Sequence, residues 1–135
     1  FSELINKLNE SDDYFFFLLC GPNEKEIESE IISNLNKKNY ITLGHKNIKN
    51  LIPYLCASDM YVGNDSFGSH ITSQYGKKSI VLLLDSPKAY TDYSQNYHRM
   101  APSGYDIEKI THGTNADPNL LTVEEVIKTI KQFKT

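Results

Sequence analysis

The chain has 135 residues, 39% of them apolar and 23% charged, with a net charge of -3 at neutral pH. That is enough for one domain with a real core but not for two. The single arginine, Arg99, argues against a nucleic-acid surface, which needs clustered cations to replace counterions. No apolar run approaches a membrane span, and no signal peptide is visible. Cys20 and Cys56 lie in apolar segments and read as buried reduced thiols rather than a disulfide. The chain opens Phe1-Ser2-Glu3 in mid-pattern and without a Met. We therefore expect residues 1–135 to be a single domain taken from a longer, two-domain protein.

In chain order, Ser2 reads as the N-cap of a short amphipathic helix carrying Leu4, Ile5 and Leu8. A polar break at 9–13 precedes Tyr14 to Cys20, a continuously apolar run of the kind that forms a strand buried on both faces. After a Gly21-Pro22-Asn23 turn, Glu24 to Lys38 predicts a helix with Ile27, Ile31, Ile32 and Leu35 on one stripe. Tyr40 to Leu43 predicts a second strand, and Asn47 can cap a helix over about 50–57, near Pro53. Met60 to Val62 and Ile80 to Leu84 are apolar runs on either side of a small-polar loop and a short helical pattern ending at Gly76. Residues 86–105 form a long tyrosine-rich loop, Tyr105 to Thr111 alternates like an edge strand, and Thr122-Val123-Glu124-Glu125 is a capping box that starts a closing helix. Strands alternating with helices imply an α/β fold: a doubly wound, mostly parallel sheet.

The loop Gly63-Asn64-Asp65-Ser66-Phe67-Gly68-Ser69-His70 carries the main chemical signal. It follows a strand and opens a helix, where ligands of parallel sheets bind and where free amides and the helix dipole favour an anion. Ser66, Gly68 and Ser69 would present donors to a phosphate. Asp65 would accept from a sugar hydroxyl or brace the loop, and His70 would donate to a phosphate oxygen. An ordinary βα turn, with Asp65 or Ser66 as the N-cap, explains the same residues. Glu24 or Glu26 either reaches a ribose or base, or both are simply acids in a helical first turn. Tyr90, Tyr93 and Tyr97 either stack on a ligand or pack as a short helix, and Arg99 either pairs with a phosphate or lies on the surface. His45, His98 and His112 have no partner at metal-ligand spacing, so no metal site is expected. Neither a P-loop, a dinucleotide fingerprint nor a nucleophile elbow is present.

Leu51 to Ser66, followed by His70 and by Tyr75-Gly76-Lys77-Lys78-Ser79-Ile80-Val81-Leu82, resembles the carboxyl-terminal domain of the ADP-heptose:lipopolysaccharide heptosyltransferases, glycosyltransferase family 9. Cys20-Gly21-Pro22-Asn23-Glu24 is similar to that family's G-x-x-x-E loop. The resemblance implies a Rossmann-like half of a GT-B glycosyltransferase that binds a nucleotide-sugar donor. It also implies inverting transfer without a cofactor or metal, and a general base in an amino-terminal domain that binds the glycan or glycolipid acceptor. Carried over by position, Asp65, Ser66, Gly68 and His70 would contact the donor's diphosphate and sugar, and Glu24 would lie near the nucleoside. The implied setting is lipopolysaccharide or other cell-surface glycan synthesis in the cytoplasm, with peripheral contact at the inner membrane and no nucleic-acid partner. This chain alone is then expected to bind nucleotide without turnover. Three departures from the family pattern stand out. Phe67 occupies the place of the Gly that follows Ser or Thr, Lys78 replaces a Pro, and Leu84-Asp85-Ser86-Pro87 stands where G-P-T-x-P is usual. The alternative from another class is a non-catalytic α/β ligand- or partner-binding module.

Overall fold

In the computed structural model, which describes residues 1–11 and 13–134, the elements alternate as the hydrophobic pattern predicts. The polar break read over 9–13 includes Asp12, which lies outside the described residues. The chain divides into two compact units, Phe1–Tyr54 and Leu55–Thr135.

In the first unit, α1 (Ser2–Ser11) buries Leu4, Ile5, Leu8 and Asn9. Ser2 is inside the helix rather than capping it: the Ile5 amide donates to the Phe1 carbonyl, and the Ser2 hydroxyl donates to the Ile31 carbonyl. Strands β1 (Phe16–Leu18) and β2 (Tyr40–Thr42) pair in parallel, joined by α2 (Lys25–Ser33). Helix α2 stops five residues earlier than predicted. There the Asn34 side chain donates to the Glu30 carbonyl at 2.8 Å, and the Asn36 amide donates to the Asn6 side chain at 2.9 Å. Asparagine amides compete in this way with helical backbone bonds. The buried Asn9 is held similarly, its Oδ1 accepting from Asn39 at 2.7 Å. Helix α3 (Ile48–Ala57), whose last three residues belong to the second unit, begins earlier than expected, with the Asn47 side chain capping the Asn50 amide at 3.1 Å and Pro53 inside the helix.

In the second unit, β3 (Met60–Asn64), β4 (Lys78–Leu82) and β5 (Tyr97–Met100) form a parallel sheet in the order β3-β4-β5. Between β3 and β4 runs α4 (Phe67–Gln74), and α5 (Val123–Lys134) closes the described chain. Side chains alternate across a strand, and the register assigns the faces. Tyr61 and Gly63, Ser79 and Val81, and Tyr97 and Arg99 share one face. Helix α4 covers it, the Ser79 hydroxyl donating to the Ser69 carbonyl at 3.1 Å. His98 and Lys78 point the other way, both onto the Phe133 ring of α5. Helices therefore cover both faces, and Val81, Leu83, Tyr97 and Ile110 form a buried cluster on the α4 side.

Helix α4 ends at the predicted glycine. Gly76 has φ +77°, its amide donates to the Ser73 carbonyl, and the Lys77 amide donates to the Thr72 carbonyl. This is a Schellman closure. Two expectations are corrected. Residues 105–111 form turns rather than an edge strand, and the fifth strand lies instead within the segment read as a loop. Its residues Tyr97-His98-Arg99-Met100 carry almost no aliphatic signal; the Tyr97 hydroxyl and the Arg99 guanidinium are hydrogen-bonded, and the His98 ring packs on Phe133. Cys20 and Cys56 are both free, and each is half-buried rather than buried. The fold is α/β with parallel sheets, of the Rossmann-like class, and among the described residues no helix is long and apolar enough to cross a membrane.

Candidate functional site

Strand β3 delivers its last residues into the α4 helix through Asp65 and Ser66. Ser66, in extended conformation, is the N-cap. The Ser69 hydroxyl closes the turn, accepting from the Ser66 amide at 3.3 Å and donating to the Ser66 carbonyl at 2.7 Å. Ser66 and Phe67 are exposed, whereas Gly68 and Ser69 are buried. Ser69 therefore shapes the loop from beneath, and Ser66 presents the polar surface. The first amides of any helix lack intrahelical acceptors; in α4 the capping box joins the Ser69 amide to the Ser66 side chain, and Phe67 and Gly68 carry the two amides that precede it.

Asp65 and His70 meet across this turn. Asp65 Oδ1 lies 3.0 Å from His70 Nε2, with the Asp65 side chain only 6% exposed. The ring N–H is not aligned along that line, so Oδ1 has close charge contact without a hydrogen bond. In this conformation the carboxylate faces His70 rather than solvent, which is the bracing geometry of the two considered. The other ring nitrogen, Nδ1, is 2.8 Å from both the Tyr93 and Tyr97 hydroxyls, and those hydroxyls are 2.7 Å apart. Tyr93 stacks on the imidazole at a 20° interplanar angle, and Tyr97 meets it nearly edge-on. Burial foremost, then the neighbouring Tyr93, pushes the Tyr97 phenol well above its ordinary value, so it remains a hydroxyl at any working pH.

The segment 86–105 thus divides. Lys88–Thr91 is a 3-10 turn, Tyr90 is exposed and hydrogen-bonded to His112 at 3.0 Å, and Tyr93 and Tyr97 join His70. Arg99 is engaged within the protein: its Nε donates to the Thr91 hydroxyl, and its terminal nitrogen donates to Asp92 at 2.9 Å. Tyr61 is the residue that sequence reading missed. Its hydroxyl donates to the Asn64 carbonyl at 2.9 Å and lies 2.8 Å from Ser66 Oγ. The available signal was the spacing, since Tyr61 and Gly63 are two apart on one strand face.

Glu24, in the first unit, folds back on its own turn. Its carboxylate accepts from the Gly21 amide at 2.5 Å, and Pro22 to Ile27 line an open groove of about 350 Å³ beside it. Burial, followed by the charges of Glu28 and Glu24, pushes the Cys20 thiol up, away from thiolate chemistry. A larger hollow of about 560 Å³ is lined by Glu124, Ile127, Lys128, Lys131 and Gln132, all on α5. One helix face supplies no convergence of polar groups from several elements. The β3–α4 loop does, drawing on β3, α4, the segment before β5 and β5 itself.

The comparisons bear on this arrangement. The family model for glycosyltransferase family 9 (heptosyltransferase) matches residues 1–112. No curated protein and no solved structure matches the chain. The match takes in the Glu24 turn, the β3–α4 loop and the tyrosines that reach His70, and it leaves only the segment leading into α5 and that helix outside. The chain belongs to glycosyltransferase family 9, the heptosyltransferase family.

Proposed function

We propose that this chain is the donor-binding domain of an inverting, metal-independent GT-B glycosyltransferase, with residues 63–70 holding the diphosphate of a nucleotide sugar. The observation that carries the reading is the meeting of Asp65 and His70 at 3.0 Å beside the exposed Ser66 N-cap of α4. An anion placed there meets the positive end of a helix dipole, beside the exposed Ser66 and the His70 ring. Negative charge builds on the diphosphate as the glycosidic bond to the donor breaks, and donors fixed in advance stabilise it most where it grows. Gly68 and Ser69 keep the loop in shape. The acceptor hydroxyl and its general base belong to another domain. Heptosyl or hexosyl transfer into lipopolysaccharide or another cell-surface glycan is the reaction that fits the family. The setting proposed is the cytoplasm, at the inner face of the membrane.

Isothermal titration of the chain with ADP, UDP and GDP tests this. Saturable heat with one of them, weakened about tenfold or more by Asp65→Asn or His70→Ala, is expected. Absence of heat with all three overturns it, as does unchanged affinity in both variants.

A further inference from the structure

The pair of phenols on His70 is not required by an anion site, since neither Tyr93 nor Tyr97 belongs to the loop. We propose that Tyr93 and Tyr97 are positioning residues that fix the tautomer and orientation of His70, so that its only N–H faces the loop where the diphosphate sits. This rests on the donor-binding reading above.

A neutral imidazole has one N–H and one lone pair. Nε2 lies 3.0 Å from the Asp65 carboxylate, whose negative charge disfavours a lone pair there, so the proton belongs on Nε2 and the lone pair on Nδ1. Nδ1 then needs a donor, and both phenol hydroxyls lie at 2.8 Å. One lone pair takes one hydrogen. One tyrosine therefore donates to Nδ1 and the other, 2.7 Å away, donates to the first phenol's oxygen. Every hydroxyl in the cluster is used, and Nδ1–H is excluded while that order holds. The rings add rigidity, with Tyr93 stacked on the imidazole and Tyr97 at its edge, itself anchored on β5 and only 7% exposed.

The consequence is electrostatic. A diphosphate oxygen bound at the loop finds no imidazole lone pair turned toward it, because Nε2 carries its hydrogen beside Asp65. In the opposite tautomer it would meet a lone pair and be repelled. The second phenol also gives redundancy, because either hydroxyl can donate to Nδ1 alone.

The test uses the whole chain. Nitrogen-15 NMR of the imidazole at a pH where His70 is neutral reports the tautomer directly, and ADP, UDP and GDP titrations report affinity. In the wild type, an Nε2–H tautomer is expected; an Nδ1–H tautomer overturns the proposal without any variant being made. Tyr93→Phe or Tyr97→Phe alone should retain the tautomer and lower affinity about twofold or less, while the double variant should populate both tautomers and lower affinity about tenfold. Retention of the Nε2–H tautomer in the double variant, or a tautomer mixture with wild-type affinity, overturns the positioning role. If the wild type itself binds none of the three nucleotides, the donor-site reading fails, and the positioning role fails with it. Wild-type binding that the double variant shares removes the positioning role alone.

Discussion

Tyr61 Oη lies 2.8 Å from Ser66 Oγ, so a strand residue five positions upstream reaches the N-cap of α4. The Tyr61 hydrogen goes to the Asn64 carbonyl at 2.9 Å, so the Ser66 hydroxyl is the donor in the second bond. Burial, above all, pushes the Tyr61 phenol up and keeps it protonated, with the nearby Asp65 charge acting in the same direction. The ring lies against the backbone of Gly63. A β-carbon placed there would stand 2.7 Å from the Tyr61 hydroxyl and 3.0 Å from the carbon bearing it.

Gly63→Ala must therefore push the phenol off Asn64 and Ser66. Tyr61→Phe removes the bonds to Asn64 and Ser66 and is expected to lower stability by about 1–2 kcal/mol. Gly63→Ala is expected to lower it by about 1–3 kcal/mol through overpacking, and to weaken nucleotide binding as well. Urea unfolding with paired titrations checks both. Equal stability of Gly63→Ala and wild type would show that the ring yields freely.

Much of this site was legible in the residues, and the reason is local. Strand, N-cap, short helix and terminal glycine follow one another within 60–76, so propensity and capping rules alone outline the loop. The capping box at Thr122 is read off in the same way. What escaped depends on long-range pairing. Strand β5 is polar and aromatic, and it becomes a strand because the crossover from β4 returns it to that strand's edge, where Tyr97 fills the core and Arg99 finds Thr91 and Asp92. The contact between His70 and tyrosines 23 and 27 positions away could not be seen from spacing, since it needs the register of three strands. The early end of α2 was hidden for a different reason: asparagine side chains from α1 and the following turn outbid a favourable apolar stripe.

Phe67 stands at the first position of α4, 41% exposed, where the family pattern has glycine. Its side chain is only partly covered, and its β-carbon limits how closely an anion approaches the helix amides. Phe67→Gly is expected to cost about 0.5–1 kcal/mol in helix propensity and to tighten diphosphate binding several-fold. Thermal melts and calorimetry with ADP separate the two effects. Weaker binding in Phe67→Gly would mean that the phenyl ring itself contacts the donor.

The start of α5 carries a reciprocal pair of caps. The Thr122 amide and hydroxyl donate to Glu125 at 2.8 and 2.9 Å, and the Glu125 amide donates to the Thr122 hydroxyl at 3.2 Å. The backbone donor foremost, and then the hydroxyl, holds the Glu125 carboxyl below its usual range. A carboxylate with a depressed folded value stabilises the fold above its unfolded value of about 4.3 and loses that stabilisation as pH falls through the folded value. Thr122→Ala should cost about 1 kcal/mol at pH 7. Glu125→Gln should leave a melting temperature that changes less than wild type between pH 6 and pH 3. A wild-type slope in the Gln variant would show that other carboxylates govern acid unfolding.

His98 gives a second pH dependence, on the sheet face that α5 covers. It packs edge-on against Phe133 with ring centroids 5.2 Å apart, and the Lys78 ammonium lies over the same Phe133 ring. Burial holds the imidazole below its ordinary value, because a proton there would be poorly solvated. Above about pH 6.5 folded and unfolded chains both carry a neutral imidazole, and the contact is fully available. As pH falls through the ordinary value towards the folded one, the unfolded chain takes up a proton that the folded chain resists, so stability declines across that window. The wild type is expected to lose a few degrees of melting temperature between pH 7.5 and pH 5.5. His98→Phe should flatten that interval while keeping the aromatic contact with α5. Melts at half-unit pH steps read both, and an unchanged slope in His98→Phe would assign the loss to another group.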